Sequence, residues 1–447
     1  MTERRADTSR RHFFEGLGGL GTALLVGSAA PPARAAAATP PSRKLRYALV
    51  GTGHRGSGMW GAAVQKGYSD VVEFVGLCDP NPKRAEAARQ LIGVDCPTFS
   101  DFDALCREAR PDLLAVTTVD AHHSEYIVKG LDRGLRVLTE KPMVTDERQC
   151  QQVLDAERRN QGKLIVGFNY RYSPRHERIK DILASGELGR VVSVSFDWYL
   201  DTQHGADYFR RWHHLRQNSG TLLVHKAAHH FDLINWWLAA DPVEVSAKGT
   251  LAFYGKNGAF RHSHCRPCPH KGRCDFYFDV TKDPRLLQLY VGPESVDGYH
   301  RDGCLFKSDV DIYDSMAALV SYSNGVVMNY SLNACMPYEG YSLSFGCEKG
   351  TLTARLGERL PGGDQMTITV TRNFSKGPPR VEQPAPSAEH GGGDKRLRDL
   401  IFRGVDMPAH LALPTSRAGA LSCLTGIAAR KSIEQNRAIK ISDLVRL

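Results

Sequence analysis

No block of lysines and arginines, and no basic stripe interleaved with aromatics, occurs in this chain of 447 residues despite its formal charge of +9. Removing residues 1–35, which hold five arginines against three acids, lowers the charge to +7, and the remainder is thinly spread. No nucleic acid partner is therefore expected. No internal repeat of solenoid period is present, which excludes stacked-repeat architectures. No cysteine precedes Cys78, which argues against a lipid-anchored N-terminus. The moderately apolar segment near the N-terminus is broken by Glu15 and by many glycines, so it makes a poor membrane span. What remains is the composition of a soluble globular protein, too long for one ordinary core. Two domains are expected.

Residues 1–35 read as a targeting segment rather than as fold. Arg10 and Arg11 precede His12, Phe13 and Phe14, then a glycine-rich stretch reaching Ala30. Ala33-Arg34-Ala35 has the small-x-small pattern of a signal-peptidase site. The arginine pair resembles the twin-arginine export signal. The twin-arginine export machinery is thus an expected partner, and the periplasm the expected location. Residues 36–43 read as a Pro/Ala/Ser linker.

The rest of the chain is organised around the stretch from Leu45 to Asp79. Leu45 to Val50 is an apolar run suited to one buried strand. It leads into Gly51-Thr52-Gly53-His54-Arg55-Gly56, a G-x-G-x-x-G sequence, then a helix-length segment, a second apolar run and Asp79. Gly51 allows the tight turn, Gly53 lets the backbone approach a pyrophosphate, and Gly56 lets helix and strand pack closely. The helix N-terminus offers free N–H groups to the phosphates. Asp79 is placed to accept from an adenosine ribose, which favours NAD, while Arg84 leaves NADP open. A glycine triplet alone is weak; strand, glycines, helix and acid in register are specific.

Across 44–168, apolar runs at 71–78, 113–117, 136–139 and 164–167 alternate with helix-length amphipathic segments. That is the α/β pattern of parallel strands joined by helices, here a Rossmann domain. Beyond 168 the pattern changes. Helices are expected at 174–185 and 225–238, and strands at 191–200, 317–322, 325–332, 341–346 and 366–371. Ser323-Asn324-Gly325 is the expected hairpin turn. Residues 374–394, rich in Pro, Gly and charge, read as a loop, and 415–434 as a last helix. Residues 169–447 are expected to form an α+β domain on an open, mostly antiparallel sheet.

Thr118, Asp120 and His123, then Glu140-Lys141-Pro142, then Gly167-Phe168-Asn169-Tyr170-Arg171, extend the pattern begun at Gly51. In this order and spacing, with the 220–232 segment, they resemble the Gfo/Idh/MocA oxidoreductases, which include glucose–fructose oxidoreductase and inositol dehydrogenase. The resemblance implies NAD or NADP held by Gly51, Gly53, His54, Arg55, Gly56, Asp79, Thr118, Asp120, His123, Glu140 and Lys141. It also implies a C-terminal sheet that often mediates homo-oligomers, and hydride transfer on a carbohydrate or related hydroxylated ring. Lys141, by resemblance, orients or polarises the substrate hydroxyl near the nicotinamide.

Oxidising a secondary alcohol needs a hydride acceptor, a base for the hydroxyl proton, and positive charge to steady the developing alkoxide. Lys141 follows a predicted strand, near the carboxyl end where doubly wound folds bind ligands. On a helix, His225, His229, Asp232 and Trp236 share one stripe, while Ala227, Phe231, Ile234 and Leu238 form another suited to packing on the sheet. The family commonly carries an aspartate four residues before its catalytic histidine. His229 matches that histidine, and His225 stands where the aspartate would, unable to supply its fixed negative charge. Three readings stay open: His229 as base with His225 at the substrate, a metal held by the pair, or a plain hydrogen-bonded pair. Asp232 is then a third metal ligand or an orienter of imidazole. Asn169, Tyr170, Arg171, Arg211 and Trp212 are candidate wall residues for the substrate.

Cys265-x2-Cys268-x5-Cys274, with Cys304 further on, can supply a structural zinc, two disulfides or an iron–sulfur cluster; zinc is preferred. The other seven cysteines are scattered. Three functions follow. The first is an exported oxidoreductase on a sugar, with a tightly held nicotinamide nucleotide loaded before export and recycled in each turnover. The second is an NAD-dependent glycoside hydrolase or lyase working by transient oxidation and elimination. The third is a non-enzymatic sugar-binding protein, against which Lys141 and His229 together argue.

Overall fold

The computed structural model describes residues 43–161, 163–358, 363–385 and 388–447. The arginine pair and the cleavage-site pattern lie outside the described residues. Six strands, β1 (Leu45–Val50), β2 (Val72–Cys78), β3 (Thr98–Phe99), β4 (Leu113–Val116), β5 (Arg136–Thr139) and β6 (Leu164–Val166), form one sheet in the order β3-β2-β1-β4-β5-β6. Every pairing is parallel. Helices cover both faces, so β4 and the end of β1 are buried throughout and read as unbroken apolar runs. Three of these helices start at acid or amide caps: Asn81, Asp101 and Asp146 accept from the N–H groups of Arg84, Ala104 and Gln149. The carboxyl ends of β1, β2, β4 and β5 therefore deliver Gly51, Asp79, Thr117 and Glu140 to one edge.

The second sheet has nine strands: β7 (Val191–Asp201), β8 (Pro242–Thr250), β9 (Ser315–Tyr322), β10 (Val327–Met336), β11 (Glu339–Cys347), β12 (Gly350–Glu358), β13 (Gln365–Arg372), β14 (Arg380–Glu382) and β15 (Ile439–Lys440). Their order is β14-β13-β12-β11-β7-β10-β9-β8-β15, antiparallel except between β7 and β10. Val194, Phe196, Trp198 and Leu200 of β7 are buried, while Ser195, Asp197 and Tyr199 between them are half-buried on the other face. The buried face packs on the helix Ala227–Leu238, where Phe231 meets Tyr330 at 4.9 Å between ring centres. The expected hairpin turn joins β9 to β10, with Gly325 at φ +84°.

Five strands escape a reading of the sequence: the two-residue β3 of the first sheet and four of the second. β8 opens on Pro242 and contains Gly249, β12 contains Gly350, Gly357 and Arg355, and β14 and β15 are held by their neighbours rather than by propensity. The expected loop at 374–394 contains β14 and the first residues of the helix Gly393–Arg403. The expected helix at 225–238 is interrupted at Lys226, which separates Leu222–His225 from Ala227–Leu238. Both proposed stripes of the second piece are buried except at the half-buried Leu238, because the helix lies between the sheet and the helix Ser416–Gln435.

The C-terminal segments return to the first sheet. Val166 N–H donates to Pro414 O at 3.0 Å, and Phe402 packs its ring against Tyr47 and Tyr68. Between β8 and β9 a long excursion made of short turns crosses back to the edge that carries the glycine loop.

Candidate active site

At the nucleotide end, Gly51 has φ +85° and a Cβ there would lie 2.6 Å from the backbone of Thr117 and Thr118. A Cβ on Gly56 would lie 2.2 Å from Gly51 O, so neither position accepts a side chain. Asp79 ties the loop to β2, accepting from Thr52 N–H at 2.9 Å, Thr52 Oγ1 at 3.1 Å and Asn81 N–H at 3.0 Å. Arg84 lies 3.5 Å from Asp79 and 2.7 Å from Asp297, an ion-paired position that leaves it little freedom to meet a 2′-phosphate. Glu140 takes Arg55 Nε and Trp60 Nε1 on one oxygen, each at 2.6 Å, and so braces the loop against the end of β5. His123 is a strut between two carbonyls, Pro142 O at 2.7 Å and Thr118 O at 3.1 Å. Gly53 is different: among the described residues, a Cβ there would meet a single atom within 4 Å, the Tyr290 hydroxyl at 3.2 Å. The open backbone at Gly53 and the outward N–H of His54 fit a dinucleotide pyrophosphate.

At the other end of the cleft, Lys141 Nζ donates to His225 O at 3.1 Å. Burial pushes its amine down to about 8, against the pull of Asp120 and Glu140. Asp120 Oδ2 stands 2.5 Å from His225 Nδ1. Burial pushes the Asp120 carboxyl up and the His225 imidazole down, so the pair is best counted as one proton held between the two groups. The His213 ring meets His225 edge-on at 4.3 Å and stacks on Trp212 at 3.5 Å. His229, 4 % exposed, stacks on Tyr170 at 4.1 Å and 9°. Its Nδ1 has no hydrogen-bond partner among the described residues, and burial pushes the imidazole far down, leaving it neutral.

Several expected residues stand elsewhere in the architecture. Arg171 grips Asp232 with two hydrogen bonds of 2.6 and 2.7 Å, both groups largely buried. A buried carboxylate needs such a partner, so Asp232 neither orients an imidazole nor joins a metal, and Arg171 is not a free wall residue. The Asn169 amide donates to Asp394 in the interior. Arg211 does stay beside the site, where its charge acts on Asp120 and His225, and it is paired with Asp207 at 3.0 Å, which also takes Arg301 at 2.8 Å. Among the described residues, no group of three or more histidines, cysteines or acids is arranged to hold a metal ion.

The zinc expectation at the cysteine cluster is therefore not supported, and all eleven cysteines are free thiols. Cys265 accepts from the Arg210 guanidinium at 3.1 Å, while the N–H groups of Cys265 and Cys304 are pinned to Asp302 O and Ser263 O. These ties set the backbones of the cluster.

Some residues of the site carry no signal in the sequence. Lys226, 3 % exposed, lies 3.7 Å from Glu339 and 5.1 Å from the centre of the Trp198 ring. His204 is held between Glu339 and the Tyr208 hydroxyl, each at 2.8 Å. Nothing local marks these residues, because their partners come from distant segments.

A parallel sheet in this order, with a glycine loop after its central strand and a buried lysine after β5, is a dinucleotide-dependent oxidoreductase domain. Residues 45–168 match the Gfo/Idh/MocA oxidoreductase family, NAD-binding Rossmann fold, and residues 176–353 match the Gfo/Idh/MocA C-terminal domain. The chain belongs to this family. It is 34% identical over 423 residues to YteT of Bacillus subtilis, named as an oxidoreductase, covering 89% of this chain and 98% of that one. The inositol 2-dehydrogenase of Salmonella paratyphi B is 26% identical over 179 residues, 38% of this chain and 48% of that enzyme. The aldose–aldose oxidoreductase of Caulobacter crescentus, solved with glycerol, superposes with a TM-score of 0.60 at 16% identity. That likeness covers 89% of this chain and 100% of the other, and is one of fold.

Proposed function

We propose that the protein oxidises a secondary alcohol of a sugar or sugar derivative by hydride transfer, using a nicotinamide nucleotide that it retains and recycles. The observation that carries this reading is the convergence of Lys141, the Asp120–His225 pair and His229 on the edge that bears the glycine loop. A bound dinucleotide supplies the hydride acceptor. The Lys141 ammonium positions the hydroxyl and steadies the negative charge that develops on its oxygen. The neutral imidazole of His229 takes the hydroxyl proton. Asp120 shares a proton with His225 and, when ionised, favours the charged form of Lys141.

The names of two relatives concern inositol and aldoses, both compounds with adjacent hydroxyl groups. NAD is favoured over NADP, because Asp79 disfavours a 2′-phosphate and Arg84 is committed to Asp297. Export through the twin-arginine route belongs to the same proposal, supported by Arg10 and Arg11. So does assembly into a homo-oligomer through the outer face of the nine-stranded sheet, where Val192, Leu319 and Val327 are exposed.

The test begins with mature protein, gel-filtered, its nucleotide released and identified by mass. The protein is then mixed with aldoses, inositols and glycosides, with no nucleotide added. One aldose or inositol should reduce the bound nucleotide once, and a second sugar should restore it. Release of an aglycone without net reduction would instead assign a glycosidase. No absorbance change with any of these compounds would end the oxidoreductase reading.

A further inference from the structure

The excursion between β8 and β9 places a strap, residues 283–299, across the glycine loop. It is moored to the helix Pro82–Ile92, which follows Asp79. Asn81 Nδ2 donates to Pro293 O at 3.0 Å and to Asp297 at 2.9 Å, and Arg84 Nε donates to Leu289 O at 3.2 Å. Leu289 is fully buried beneath it. From this mooring two side chains reach the loop. The Tyr290 hydroxyl accepts the His54 N–H at 2.8 Å, where a phosphate oxygen is expected in a dinucleotide fold. Arg285 Nη2 lies 3.3 Å from both His54 O and Ser57 Oγ, at the start of the helical segment that follows the loop. No carboxylate among the described residues pairs with Arg285, although most arginines around it are paired. A half-buried guanidinium without a counter-charge, set at the mouth of an anion cradle, is suited to an anion. The His54 imidazole records the same field: desolvation, then the guanidinium groups of Arg285, Arg211, Arg301 and Arg55, push it down to about 4.

We propose that Arg285 and Tyr290 are cofactor-binding residues, contributed from outside the Rossmann domain, that clasp the dinucleotide pyrophosphate from the side opposite the glycine loop. When the nucleotide binds, the Tyr290 hydroxyl releases the His54 N–H to a phosphate oxygen and donates its own proton to the phosphate. Arg285 supplies the charge, and the moored strap keeps both in place, which slows dissociation. The inference rests on the dinucleotide reading of Gly51–Gly56, and it explains how a cofactor could be retained.

The experiment titrates nucleotide-free, full-length protein with NADH by fluorescence and separately with adenosine, which has no phosphate. Arg285→Gln should weaken NADH by about ten- to a hundredfold, the range for a hydrogen bond to a charged group, and leave adenosine unchanged. Tyr290→Phe should weaken NADH less and speed its dissociation, and Arg285→Lys should restore part of the affinity. Equal loss of NADH and adenosine in Arg285→Gln would make the strap merely structural. Tighter NADH binding in Tyr290→Phe would make Tyr290 a plug rather than a clasp. Unchanged NADH affinity in both variants would also overturn the proposal. Gly53→Asp separates the two levels: if wild type binds NADH and Gly53→Asp does not, the loop reading stands whatever the strap variants do. If wild type binds none, the loop reading itself has failed.

Discussion

The two ends of the cleft are built by different means. The nucleotide end is mostly backbone, with Gly51 and Gly56 packed too tightly for any side chain and Asp79 and Glu140 bracing the loop from within the same sheet. The substrate end is mostly side chains, brought by separate segments: Asp120 after β4, Lys141 after β5, Trp212 and His213 after β7, His225 and His229 from two helical pieces. Backbone geometry is carried by short local sequence, so the first end is announced by a motif. The second exists only where the segments meet, and its properties come from burial and mutual charge.

Breaking the backbone end should have the largest effect. Gly56→Val places atoms inside the carbonyl of Gly51, so the purified variant should retain no nucleotide by mass after gel filtration and show no turnover. Retained nucleotide would mean that the loop can open without cost and that its close backbone packing does not hold the cofactor.

Breaking the side-chain end should spare the nucleotide. Lys141→Ala should keep its nucleotide and lose turnover by on the order of 10²–10⁴. Because the charged form of Lys141 does the work and its amine is held at about 8, turnover should fall as the pH rises through that value. Lys141→Arg should keep its charge and carry the plateau to higher pH. A profile that rises above pH 8 would make Lys141 a base.

Asp120→Asn should have a smaller effect on turnover, about ten- to a hundredfold, within the lower range for groups that assist proton transfer. Its sign is sharper than its size. Asp120 raises the Lys141 amine, so its removal should move the alkaline limb of the profile to lower pH. A limb that stays in place or moves up would uncouple the two groups.

The smallest effect on turnover should come from Asp232→Asn. It breaks a buried pair with Arg171, so unfolding should cost about 3–5 kcal/mol less. The molecules that remain folded should keep their nucleotide and turn over much as the wild type does. A large loss of turnover at unchanged stability would return Asp232 to the catalytic group.

The chain by itself determined both sheets in outline. The unbroken apolar runs of β4 and of the ends of β1 and β2 require burial on both faces, and alternation along β7 and β10 requires a sheet with one face covered. It also determined the glycine loop, since strand, glycines, helix and acid follow one another in sequence and Gly56 packs on the Gly51 carbonyl of the same turn. Tertiary structure decided the rest. β14 and β15 are strands because a partner strand supplies their hydrogen bonds. The stripe through His225, His229 and Asp232 divides because Lys226 interrupts the helix, after which each residue finds a different partner: Asp120, Tyr170 and Arg171. Asp120 and His225 are 105 residues apart, and Tyr290 is 236 residues from His54. Local periodicity reports which face of an element is apolar. It carries no record of which distant charge will be buried against which, and that is what sets the chemistry of this cleft.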